Sequence, residues 1–65
     1  MTKAQAVTVV GDLVNAGYDA HAYPVSASVW QVDACSTTGP IDTGTIQGFA
    51  SAHGVTAKAD RATFS

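Results

Sequence analysis

The stretch that decides the fold is residues 13–24, which read LVNAGYDAHAYP. Before Gly17, apolar residues recur every three or four positions, which is typical of a helix. After Gly17 they alternate with polar residues, which is typical of a half-buried strand. A glycine readily adopts the left-handed conformation that ends a helix, and the apolar Tyr18 can fold back onto the last turn. The sequence therefore predicts a helix that turns at Gly17 onto a strand.

Working back from Gly17, the first helix is predicted over residues 3–16. Thr2 can cap its N-terminus, and Gln5, three residues later, completes a capping box. The residues expected to face the core share helical spacing: Val7, Val10, Leu13 and Val14, with Ala6 beside them.

Working forward, the first strand runs from residue 18 to Pro24, because proline cannot donate to a strand ladder. A short connection then leads to a second strand over residues 29–35, which completes a hairpin. On this second strand Trp30 shares a face with Val32 and Ala34. We expect Trp30 to pack between the sheet and the helices, near Val10, Leu13 or Val14 and near Phe49.

The second half of the chain repeats the helix–glycine–strand order. A helix is predicted over residues 43–53 with Asp42 or Thr43 as its cap, Gly54 ends it, and a last strand follows over residues 55–64. The predicted fold is a single α+β domain, residues 1–65, in the order α-β-β-α-β. Its three-stranded antiparallel sheet has strand order 2-1-3, with two helices packed on one face. This order resembles that of ferredoxin-like and sporulation-related-repeat domains without their first strand.

Composition limits what such a domain can do. Sixty-five residues exclude Rossmann folds, barrels and two-domain enzymes. Twelve alanines and eight valines supply most of the apolar residues, so the core must be thin. Three cations oppose five acids, which does not favour direct binding of nucleic acid. No signal peptide or membrane span is recognisable, so a soluble cytoplasmic protein is expected.

The residues that could carry chemistry do not form a recognisable motif. Alternation places six polar residues on one sheet face: Asp19, His21, Gln31, Asp33, Lys58 and Asp60. Such a group could bind a metal or transfer protons, but it lacks tight ligand spacing, and a solvated face is the favoured interpretation. Cys35 has no activating base nearby in the sequence and is predicted to be a half-buried structural thiol. No catalytic residue, metal site or cofactor is predicted, and the protein is not expected to be an enzyme.

The function predicted from these features is that of a small accessory protein that binds another protein or itself. The alanine- and valine-rich composition fits a high-GC genome, such as that of a bacterium or of its phage. The small size of the domain favours a homo-oligomer, since association adds the stability that a thin core lacks. The alternative is a regulator or subunit that acts on nucleic acid within a larger complex. The predicted interface comprises Tyr23, Val29, Gln31, His21 and Lys58.

Overall fold

Two helices and four strands make up the protein in a computed structural model that describes residues 1–65. In chain order they are α1 (Lys3–Asn15), β1 (Asp19–Pro24), β2 (Trp30–Cys35), α2 (Thr43–His53), β3 (Ala57–Lys58) and β4 (Thr63–Phe64). The α+β class is as predicted, but the antiparallel sheet has four strands rather than three.

Both helices begin at the caps that the sequence indicates. The Thr2 hydroxyl accepts a hydrogen bond from the Gln5 backbone at 3.1 Å, and the Gln5 side chain accepts one from the Thr2 backbone at 3.0 Å. At the start of α2, the Asp42 carboxylate accepts from the Thr45 backbone at 3.1 Å. These bonds satisfy backbone donors that the first turn of a helix leaves without partners.

Both helices also end through the predicted glycines. Gly17 has a φ of +93° and Gly54 a φ of +65°, so both lie in the left-handed region. The residue after each glycine donates back into its helix: Tyr18 to the Leu13 carbonyl and Val55 to the Ala50 carbonyl, each at 3.0 Å. The chain therefore reverses sharply and returns along the sheet.

Replacing Gly17 tests this reversal. A β-branched side chain resists positive φ, so Gly17→Val should lower the free energy of unfolding by more than about 1 kcal/mol. No atom lies within 4 Å of a Cβ built at Gly17, so the cost would come from the backbone alone. Gly48→Ala is the matched control, because it adds a methyl group in open space within a helix and should stabilise by about 0.5–1 kcal/mol. Urea denaturation of both variants measures the difference; equal stability of Gly17→Val and the wild type would contradict the assignment.

The predicted sheet order, 2-1-3, is wrong, and the observed order is β1-β2-β4-β3. The last strand is a hairpin instead of a single strand, because the chain turns through residues 59–62, and Ala62 adopts a φ of +49°. Its second arm, β4, pairs antiparallel with β2 through Val32 and Phe64. Since β4 is antiparallel to both β2 and β3, β3 runs parallel to β2, and β4 lies between them in the place that the predicted order assigns to β1.

Helix α1 buries a different stripe from the one predicted. Ala6, Val9 and Leu13 are buried, whereas Val7 and Val14 are 61% and 53% exposed. The prediction placed Val7 and Val14 in the core, and the helix is rotated away from that orientation. The rotation sets the small Ala6 against the sheet and leaves two β-branched side chains in solvent.

The two helices lie side by side, and each covers a different part of the sheet. Helix α1 contacts β1 and β2, while α2 contacts β3 and also packs against α1. A side-chain hydrogen bond joins the two helices, with His53 Nε2 2.6 Å from Asp12 Oδ2. The flank of α1 that carries Asp12 therefore faces α2, and its opposite flank faces away from α2.

The core between helices and sheet is small. It comprises eight buried residues, three of them alanines: Ala6, Val9, Leu13, Val32, Ile46, Ala50, Ala62 and Phe64. Phe64 is the largest fully buried side chain. Trp30 packs on the inner face, as predicted, but it is half-buried at the beginning of α1, where Lys3 Nζ lies 5.6 Å from its ring centre.

Candidate functional site

Strand β1 forms the long free edge of the sheet. Within the β1–β2 hairpin, Val25 donates to the Val29 carbonyl at 2.8 Å, which fixes that pair as hydrogen-bonded. Hydrogen-bonded and non-bonded pairs alternate along an antiparallel ladder. Ala20, Ala22 and Pro24 therefore direct their backbone groups outward, away from β2.

The other side of the hairpin confirms this assignment. Trp30, the partner of Pro24, exchanges backbone bonds with Met1 at 2.7 and 3.0 Å instead of with β1. Pro24 accordingly sits where its missing N–H disrupts no bond within the sheet. The free backbone groups of this edge are those of a strand that can accept another strand.

Above this edge lies a row of three valines on α1, which we call the valine flank: Val7, Val10 and Val14. At about 100° per residue, Val14 points to nearly the opposite side of α1 from Asp12, which faces α2. Val7 and Val14 are exposed, and Val10 is half-buried. Gly11, which lies between Val10 and Val14 in the sequence, borders open space: a Cβ at this position would have no neighbouring atom within 4 Å. The valine flank is thus an open apolar surface on the β1 side of the molecule.

The sheet face opposite the helices carries a polar groove of about 420 Å³. Its lining residues come from all four strands, from the turn between β3 and β4, and from residue 65: Tyr23, Gln31, Asp33, Lys58, Arg61, Thr63 and Ser65. A hydrogen-bond network joins the side chains of its floor. The Thr63 hydroxyl donates to Asp33 Oδ1 at 3.1 Å, and the Tyr23 hydroxyl lies 3.0 Å from Gln31 Oε1 and 3.3 Å from Asp33 Oδ1.

The environment of Tyr23 disfavours the phenolate. Desolvation on the sheet face, followed by the charge of Asp33 and the hydrogen bond to it, raises the pKa of Tyr23 above its ordinary value of 10.0. The hydroxyl is therefore a neutral hydrogen-bond donor at physiological pH and holds the groove floor together.

The titration of Tyr23 gives a pH prediction. Since its folded-state pKa exceeds the unfolded value of 10.0, its contribution to stability is complete below that pH. The contribution is lost as the pH rises through the folded-state pKa. Ultraviolet titration should detect one tyrosine with a raised pKa, and Asp33→Asn should lower that pKa toward the ordinary value. A raised pKa that persists in Tyr23→Phe would contradict the assignment to this hydroxyl.

The residues predicted as an interface fall in three places. Tyr23, Gln31 and Lys58 line the polar groove. His21 lies on the same open face, on the edge strand and opposite Asp33 in the register. Val29 precedes β2 in the hairpin connection and is 43% exposed.

Sequence reasoning missed Arg61 and Thr63 as groove residues. Both positions depend on the β3–β4 turn, which contains no glycine or proline to indicate it. Cys35 is exposed at the end of β2, so the prediction of a half-buried thiol is wrong.

Neither family models, nor curated proteins, nor solved structures gave a match to this chain. No three His, Cys, Asp or Glu side chains are grouped so that they could hold a metal ion. Neither helix has the length and apolar character needed to cross a membrane.

Proposed function

We propose that this protein is a non-enzymatic self-association module in which two copies pair through the free edge of β1 and the valine flank of α1. The observation that carries the proposal is the position of both surfaces on the same side of the molecule. The edge offers backbone hydrogen bonds, and the valines beside it offer apolar area. This is an accessory role in which the chain itself is the partner.

The spacing of the elements fits such a dimer. Helix α1 packs on both β1 and β2, so its axis lies roughly above the line between them. Neighbouring strands are about 4.8 Å apart, and β1 pairing with its copy separates the two α1 axes by two such spacings, or about 10 Å. Packed helices lie about 8–10 Å apart, so the two valine flanks would meet as the strands pair. Gly11 leaves room for that approach.

The edge is also complementary to itself. An antiparallel pairing centred on His21 sets Ala20 opposite Ala22 of the second copy, and both direct their backbone groups outward. Four hydrogen bonds then form about a two-fold axis, the commonest symmetry of protein dimers. The side chains of Ala20 and Ala22 lie on the helix side and are small enough to fit beneath the two helices.

The thin core supplies a reason for association. Only eight residues are buried, and charged residues make up 12% of the chain. A monomer of this size gains little net stability from so few large side chains, and burial of the valine flank adds to it. Low surface charge also lowers the electrostatic barrier to contact between copies.

Amide hydrogen exchange tests the proposal residue by residue. The N–H groups of Ala20 and Ala22 point to the free edge, whereas those of His21 and Tyr23 bond to β2 within one chain. We expect protection at Ala20 and Ala22 to increase with protein concentration, while His21 and Tyr23 stay protected throughout. Unprotected Ala20 and Ala22 amides at every concentration would contradict pairing through β1.

A further inference from the structure

The polar groove is a second site, on a face that edge pairing of β1 leaves open. Two of the three cations in the chain, Lys58 and Arg61, line it, although the net charge of the protein is −2. Neither forms a salt bridge, because the only close contact between a basic and an acidic side chain in the structure joins His53 and Asp12. The third cation, Lys3, lies over the Trp30 ring, outside the groove.

The charged side chains of the groove determine which ligand charge they can balance. Asp33 is the one negative side chain of the groove, so together with Lys58 and Arg61 its side chains carry a summed charge of +1. The Thr63 hydroxyl donates to Asp33 Oδ1, and the Tyr23 hydroxyl lies near the same atom, which leaves Asp33 Oδ2 without a protein partner. A ligand carrying one negative charge is balanced by this groove, and a hydrogen-bond donor on the same ligand can reach the free carboxylate oxygen.

We propose that the groove binds a small organic monocarboxylate that carries a hydrogen-bond donor near its carboxylate. Arg61 and Lys58 hold the carboxylate, for which the planar guanidinium offers two parallel hydrogen bonds. Asp33 accepts from the donor, and the Gln31 amide, whose oxygen lies 3.0 Å from the Tyr23 hydroxyl, keeps its NH₂ group for the ligand. A phosphate monoester carries about −1.5 to −2 charges at pH 7, which is more than these side chains balance.

N-acetylglycine is a suitable probe, because it combines one carboxylate with a nearby N–H. Titration followed by NMR should give saturable shifts at Lys58, Arg61, Gln31 and Asp33. N-acetylglycinamide, which lacks the charge, and propionate, which lacks the N–H, should each bind more weakly. Inorganic phosphate should also bind more weakly than N-acetylglycine.

Charge-removing variants separate a defined site from general attraction. Arg61→Gln and Lys58→Gln should each weaken binding about tenfold, the loss expected for one charge-assisted hydrogen bond. Lys3→Gln removes the same charge outside the groove and should leave binding unchanged. The proposal is overturned if binding is not saturable, if Lys3→Gln weakens it as much as Arg61→Gln, or if phosphate or the amide binds as tightly as N-acetylglycine.

Discussion

Phe64→Ala should unfold most of the protein at room temperature. Phe64 is fully buried and lies on β4, between Val32 of β2 and Ala57 of β3 in the register. Truncating a buried phenylalanine costs about 3–5 kcal/mol, which is comparable with the whole stability of a small domain. The loss is hard to offset here, because the core contains few other large side chains.

Circular dichroism with urea denaturation measures this effect. Val25→Ala is the control, since Val25 is 55% exposed and its truncation should change stability by less than about 0.5 kcal/mol. A loss below about 1 kcal/mol in Phe64→Ala would mean that β4 does not close the core as described.

The double variant Val7→Lys/Val14→Lys should dissociate the proposed dimer without unfolding the chain. Both valines are exposed in one chain, so lysine can occupy either position in the monomer. In the dimer the same positions lie between two α1 helices, where burial of valine is lost and charges approach one another. The dissociation constant should rise about 100-fold or more.

A matched variant distinguishes this effect from added charge alone. Gln47→Lys/Ser51→Lys places two lysines one turn apart on exposed positions of α2, away from β1. It should associate like the wild type in sedimentation experiments. Equal weakening by both double variants would point to general charge repulsion and not to the valine flank.

Local signals made much of the fold predictable. The capping box at Thr2 and Gln5 and the left-handed glycines at positions 17 and 54 each depend on a few neighbouring residues. They define both helices to within one residue and the turn of α1 onto β1. The alternation of residues 18–35 likewise predicts the β1–β2 hairpin.

The errors arose where the pattern is ambiguous or the contacts are distant. Helix α1 contains valines on several sides, so spacing alone did not distinguish the buried Val9 from the exposed Val7. Ala57 and Ala59 alternate with Lys58 and Asp60 as in a strand, and the turn that ends at Ala62 carries no glycine. The groove joins Tyr23 to Arg61, which only the order β1-β2-β4-β3 brings to one face.

Sedimentation equilibrium of the unmodified protein at micromolar concentration tests self-association most directly. The account predicts a species of twice the 6.6 kDa chain mass, with a melting temperature that rises with protein concentration because folding and association are linked. A single species of 6.6 kDa, with a melting temperature independent of concentration, would contradict it.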